Sequence, residues 1–179
     1  MTARVRQIRA DEGPRLRALR LRALADSPWA FGSTLAREEA FTDDVWQERA
    51  ALSAAGEDRV TFIAEDDDRW IGMATGLMER GGRLDLVGMF VDPAARGQRR
   101  GAALVEAVAT WARGRGAARL HLWVTTTNEP ALRLYRRAGF HPTGRTQALD
   151  HTPSLQELEM ARELWPARAG LGPRVDSGG

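Results

Sequence analysis

Apolar and polar residues alternate from Ala3 to Arg9, a two-residue period that predicts a strand. After Asp11 the period becomes helical. Leu16, Leu19, Ala23 and Leu24 fall on one side of a stretch running to about Ala25, with Asp11 as its cap. Ser27-Pro28 breaks that helix. A second is predicted from Thr34 to about Leu52, with Asp43-Asp44 as an internal break and second cap. Arg59 to Glu65 and Arg69 to Glu79 read as a hairpin turning at Asp66-Asp67-Asp68. Gly81-Gly82 leads into a fourth strand, Arg83 to Val91. A long helix follows from about Arg99 to Arg113, with Leu104, Val108 and Trp111 on one face and Gly114 and Gly116 at its end. Arg119 to Thr125 is a fifth strand. Asn128 caps a short helix with Pro130 in its first turn, and Gly139 ends it. Thr143 to Leu149 and Leu155 to Leu164 complete the strands.

The order strand, two helices, three meandering strands, helix, strand, helix, two strands predicts an α/β protein with a mixed sheet flanked by helices. Residues 83 to 125 form one right-handed βαβ unit. At 179 residues the chain fits a single domain, here 1–165, with residues 166–179 as a disordered Gly/Pro/Ser tail.

Composition narrows the chemistry. There is no cysteine, so disulfides, thiolate metal sites and a cysteine nucleophile are excluded. All 26 basic residues are arginines, which excludes a Schiff-base lysine and a Walker-type lysine. The net charge is only +2, with acids interspersed, which argues against a nucleic-acid binder. No apolar run is long enough to cross a bilayer, and none follows Arg4, Arg6 and Arg9 as a secretory signal would, so a cytoplasmic protein without membrane partners is expected. His121, His141 and His151 lack metal-ligand spacing, and no metal is expected.

The most informative segment is Val91-Asp92-Pro93-Ala94-Ala95-Arg96-Gly97-Gln98-Arg99-Arg100-Gly101-Ala102, between a buried strand and a helix. Unpaired N–H groups and the helix dipole make such a turn a phosphate site, with Arg96, Arg99 and Arg100 alongside. A second block follows, Asn128-Glu129-Pro130-Ala131-Leu132-Arg133-Leu134-Tyr135-Arg136-Arg137-Ala138-Gly139-Phe140.

Both blocks, and the order of elements, resemble the GNAT superfamily of acyl-CoA-dependent N-acetyltransferases. The core resemblance covers about residues 59 to 145. The family pattern Arg/Gln-x-x-Gly-x-Gly/Ala after Val-x-Pro starts at Arg96 and ends at Gly101, which puts Arg99 where the pattern has glycine. A shifted register, Gln98 to Ala103, matches the letters but needs two extra residues after Pro93. An arginine at position 99 serves if its φ is helical, as in a first helical turn.

The resemblance implies a six- to seven-stranded sheet, about four helices, and a fourth strand splayed from the fifth. It implies acetyl-CoA as co-substrate, with its pantetheine between those strands against Met89, Phe90 and Val91. The diphosphate would lie on Arg96, Gly97, Gln98, Arg99, Arg100, Gly101 and Ala102. Asn128 would bond the pantetheine arm, and the N–H of Met89 or Phe90 would polarise the thioester carbonyl. Gly88 fits a bulge beside them. Tyr135 would protonate the leaving thiolate. Asp85 is the expected general base, with Glu39, Glu38 and His151 behind it. Phe31 and Glu39, with Glu38 and Trp46, would line an amine pocket whose acids favour a small cationic acceptor. The acceptor is then a small-molecule or peptide amine, and a homodimer stays open. Two other readings are a non-catalytic acyl-CoA-binding module on the same fold and a nucleic-acid module using Arg96, Arg99, Arg100, Arg113, Arg115 and Arg119.

Overall fold

The structure is a computed structural model that describes residues 4–165. The expected tail and the first three residues lie outside the described residues. Seven strands form one sheet: β1 (Arg4–Gln7), β2 (Arg59–Asp66), β3 (Arg69–Met78), β4 (Leu84–Val91), β5 (Arg119–Thr125), β6 (His141–Leu149) and β7 (Thr152–Glu163). Their spatial order is β1-β2-β3-β4-β5-β7-β6. Every neighbouring pair is antiparallel except β4 and β5.

Five α-helices cover the two faces: α1 (Gly13–Asp26), α2 (Leu35–Glu39), α3 (Asp43–Ala55), α4 (Arg100–Gly114) and α5 (Glu129–Arg137). On one face α4 and α5 bury Leu104, Val105, Val108, Leu132 and Tyr135 against Ala74, Leu120 and Leu122. On the other, α1 and α3 bury Leu19, Leu24 and Trp46 with Ile63 and Met73. Burying side chains of this size contributes about 1.5–3 kcal/mol each.

Some ends differ from the sequence reading, for local reasons. The α1 cap is Glu12, not Asp11. The Glu12 carboxylate turns back to accept from the Arg9 N–H at 2.9 Å and from the Arg6 guanidinium at 2.8 Å, while Asp11 stays in solvent. The predicted helix from Thr34 to Leu52 is two helices. Thr34 caps the first by accepting from the Arg37 N–H, and the second starts at Asp43, placing Asp43 and Asp44 in its first turn where the helix dipole favours acids. The last two strands each start a few residues earlier than predicted. No helix of the described residues is long and apolar enough to cross a membrane.

Candidate active site

Two features of β4 open the middle of the sheet. First, its parallel pairing with β5 stops after Leu84↔Leu120 and Asp85↔His121, so the strands separate beyond Asp85. Second, β4 carries a bulge. Met73 pairs with Phe90 and Thr75 with Val87, so β4 places one residue more than β3 across that step. Gly88 sits in the bulge at φ 61°, a left-handed conformation that glycine adopts without steric cost. The half of β4 holding Met89, Phe90 and Val91 therefore has no strand partner on the β5 side. Phe90 is buried on the α1–α3 face, and Met89 packs toward the α4–α5 face.

At the open end of this gap lies the turn before α4. Arg99 is the N-cap at φ 60° and ψ 7°, the left-handed region. The expectation of a helical φ there is incorrect, because the helix begins one residue later, at Arg100. This is backbone geometry that suits glycine, at the position where the family pattern has one. The strain of a non-glycine residue there is about 1–2 kcal/mol. Gly97, Gln98 and Arg99 are exposed. Arg100 bonds Gln98 Oε1 at 3.0 Å, while its Nε is buried without a partner. Arg96 is committed elsewhere: it pairs with Asp26 at 2.8 Å and donates to the Val91 carbonyl at 3.0 Å. Gly101 allows a tight seam, since a Cβ there would come within 3.1 Å of Leu134 and 3.3 Å of Met89.

Across the sheet, on the α1–α3 face, a cavity of about 820 Å³ reaches the bulge. Phe31, Met73, Leu77, Val87 and Trp123 supply apolar wall, with Gly88 at the β4 side. Glu38 lines it but is not a free acid. It is 2% exposed, and Arg20 and Arg49 hold it at 2.8 and 3.2 Å. Burial pushes its pKa up, but the Arg20 hydrogen bonds and charge outweigh that and hold it below the usual carboxylate range. Glu39, one position along the helix, points to solvent and is absent from the lining, so the acid on the cavity side of α2 is Glu38. The expected preference for a cationic acceptor, which rested on these two acids, loses its basis.

Asp85 lines the cavity, yet Arg83 binds both of its oxygens, Nη2 to Oδ1 at 2.6 Å and Nε to Oδ2 at 2.9 Å. Glu157 on β7 also lines it. This carboxylate accepts from Gln147 Nε2 at 3.1 Å and forms no ion pair among the described residues. The sequence reading missed Glu157 because the alternation of the last strand does not reveal which acids face inward. His151 is absent from the lining; its Nε2 lies 2.6 Å from the Phe31 carbonyl, tying the β6–β7 turn to the loop before α2.

Tyr135 lies outside this cavity, in the core beneath α4 and α5. It is edge-on to Phe140 with 5.8 Å between ring centroids. Burial raises its pKa well above the usual phenol value, so the hydroxyl stays protonated. Asn128 caps α5, its Oδ1 accepting from the Ala131 N–H at 3.2 Å.

Comparison with known proteins agrees with this architecture. Residues 20–140 match the acetyltransferase (GNAT) family model. Over 67 residues the chain is 43% identical to streptothricin acetyltransferase of Streptomyces lavendulae, a stretch covering 37% of this chain and 35% of that one. The match thus spans about a third of the length of the curated relative. The crystal structure of nourseothricin acetyltransferase is 34% identical, covers 60% of this chain and 66% of that chain, and superposes with a TM-score of 0.56. The structure of yncA from Salmonella typhimurium, solved with its cofactor acetyl-CoA, shares the fold over 95% of this chain and 98% of that one, at 15% identity and a TM-score of 0.77. With two thirds of its residues matched by the family model, and the split parallel pair and bulge in place, the chain belongs to the acetyltransferase (GNAT) family.

Proposed function

We propose that this protein transfers an acetyl group from acetyl-CoA to a primary amine by direct attack. One observation carries the reading: the gap between β4 and β5, bulged at Gly88 and ending at the left-handed turn before α4. The residues fit the co-substrate. An extended amide-bearing arm can pair with the unpartnered half of β4 as an added strand would. The free N–H groups of the first turn of α4 suit a diphosphate, and the orphaned Arg100 Nε is a further donor beside them. The streptothricin acetyltransferase relative and the structural neighbour solved with acetyl-CoA support the same donor and a small-molecule acceptor.

In the reaction, the amine nitrogen forms a bond to the thioester carbonyl carbon, the carbon–sulfur bond breaks, and the amine gives up a proton. A β4 N–H at Met89 or Phe90 stabilises the carbonyl oxygen as it gains charge. Glu157, unpaired and facing the cavity, takes the proton in place of Asp85, whose oxygens are held by Arg83. The Tyr135 phenol returns a proton to the thiolate. Acyl transfer through a cysteine is impossible here.

Thermal unfolding with acetyl-CoA, and separately with free coenzyme A, tests the reading. Ligand at a hundredfold over its dissociation constant adds about 2.7 kcal/mol. Both ligands are expected to raise Tm. No shift at millimolar ligand overturns the reading.

A further inference from the structure

The charges around the cavity do not cancel evenly along its length. The lining holds the acids Glu38, Glu79, Asp85 and Glu157 and the arginines Arg20, Arg49, Arg59 and Arg83. Arg20 and Arg49 share Glu38, and Arg83 holds Asp85. Arg59, at the start of β2, makes neither a hydrogen bond nor an ion pair within 4.0 Å among the described residues. Its guanidinium is partly desolvated, and the nearby Arg49 and Arg20 charges add to that burial in disfavouring its cationic form. Glu79 and Glu38 act the other way but more weakly, and neither closes to an ion pair with it. A half-buried cation crowded by two others is a place for an anion.

Strand register places this cation relative to the bulge. Arg59 pairs with Leu77, and Leu77 with Asp85, so Arg59 lies on one transverse line with Asp85, two strands away. That is about 10 Å across the sheet, and Gly88 is about 10 Å further along β4. The Arg59 and Gly88 Cα atoms are then about 14 Å apart, and an arginine extended toward the bulge leaves about 8 Å. One end of the cavity thus holds a cation in no ion pair, and the other holds Glu157 and the opening to the gap.

Resting on the acetyltransferase reading, we propose that the acceptor is an amine carrying a carboxylate several bonds away, with the carboxylate bound at Arg59 and the amine delivered to the β4 bulge. A free dipeptide spans about 7 Å from amine to carboxylate and fits this separation, as an ω-amino acid does. A polyamine has no anion, and a protein N-terminus has one at that distance only where an acidic side chain supplies it. The apolar wall of Phe31, Met73 and Leu77 between the two ends suits an aliphatic or aromatic side chain.

The test uses product mimics and so does not depend on turnover. N-acetyl-Leu-Leu and its C-terminal amide are added to the whole protein, and to Arg59→Gln, and unfolding is followed. The acid is expected to raise Tm in the unmodified protein and not in Arg59→Gln, and the amide to raise it in neither. Acetyl-CoA should stabilise both proteins equally, which reports on the acetyltransferase reading separately. In turnover, kcat/KM for Leu-Leu should exceed that for its amide by about tenfold or more, the worth of one charge-assisted hydrogen bond. Equal effects of acid and amide, no effect of the acid, or an acid effect surviving in Arg59→Gln overturns the proposal. So does faster turnover of a simple diamine. Should Arg59→Gln fail to fold, the acid–amide difference in the unmodified protein decides.

Discussion

Arg99 offers a direct check on how the turn before α4 is built. Its φ of 60° is a conformation that costs an L-residue with a Cβ about 1–2 kcal/mol. Replacing it with glycine removes that cost but adds about 0.5–1 kcal/mol of backbone entropy lost on folding. Arg99→Gly should therefore be more stable than Arg99→Ala by about 0.5–1 kcal/mol, since the alanine variant keeps the strain and loses the same guanidinium. In a protein of this size that difference is about 1–4 °C in Tm. Arg99 is exposed and carries no ion pair among the described residues, so Arg99→Ala itself should change stability by less than about 0.5 kcal/mol. Differential scanning calorimetry of the three proteins, with and without coenzyme A, gives both quantities. If the turn binds diphosphate through its backbone, Arg99→Gly keeps its coenzyme A stabilisation. A glycine variant less stable than the alanine variant would refute the strain argument.

Other outcomes follow from the site. Tyr135→Phe should lower kcat by about 100-fold or more with little change in Tm, because the hydroxyl makes no hydrogen bond among the described residues while the ring packing on Phe140 is kept. Because burial raises the Tyr135 pKa, initial rates should show no alkaline loss from this group up to pH 10.0. Glu157→Gln should lower kcat by about 100-fold and leave the acetyl-CoA shift in Tm unchanged, whereas Asp85→Asn should chiefly lower Tm by loosening Arg83. Acid should unfold the protein. Glu12, Glu38 and Glu159 have pKa values below the ordinary 4.5: burial pushes each up, and hydrogen bonds from Arg6, Arg20, and Thr143 with Arg83 push harder the other way. Their stabilisation is complete above pH 4.5 and lost as pH falls below it, because the unfolded chain binds more protons. Chemical denaturation between pH 3 and 7 checks this, and a flat profile there would count against the arginine clamps.

Periodicity and turn residues made most of the fold legible. The β5 boundaries, the meander and the Asn128 cap were all readable because strand alternation and capping chemistry are local. The Gly88 bulge was readable from one glycine in an apolar strand. What local pattern could not show was pairing at a distance. Glu38 looked like a free acid in sequence, and only the packing of α2 against α1 and α3 brings Arg20 and Arg49 onto it. Asp85 suited a base by position, but Arg83, just ahead of the strand, folds onto it, a side-chain contact that strand alternation does not report. Glu39 and Glu38 are adjacent letters, and the short α2 turns one into the cavity and the other into solvent. Arg59 and Glu157 belong to strands four places apart in the sheet order, and nothing in either segment alone marks them as facing one cavity.

Transfer of an acetyl group from acetyl-CoA to an amine, the activity proposed for this chain, leaves two products that can be followed at once. Release of free thiol from acetyl-CoA, followed together with the mass of the acceptor, tests it most directly, and the chain itself contributes no thiol to the signal. One thiol is expected per N-acetylated acceptor, with Leu-Leu among the acceptors and the rate falling in Tyr135→Phe and Glu157→Gln. Saturable acetyl-CoA binding with no acetylated product from any amine, and thiol release no faster than in buffer, would contradict it and leave a binding module on a transferase fold.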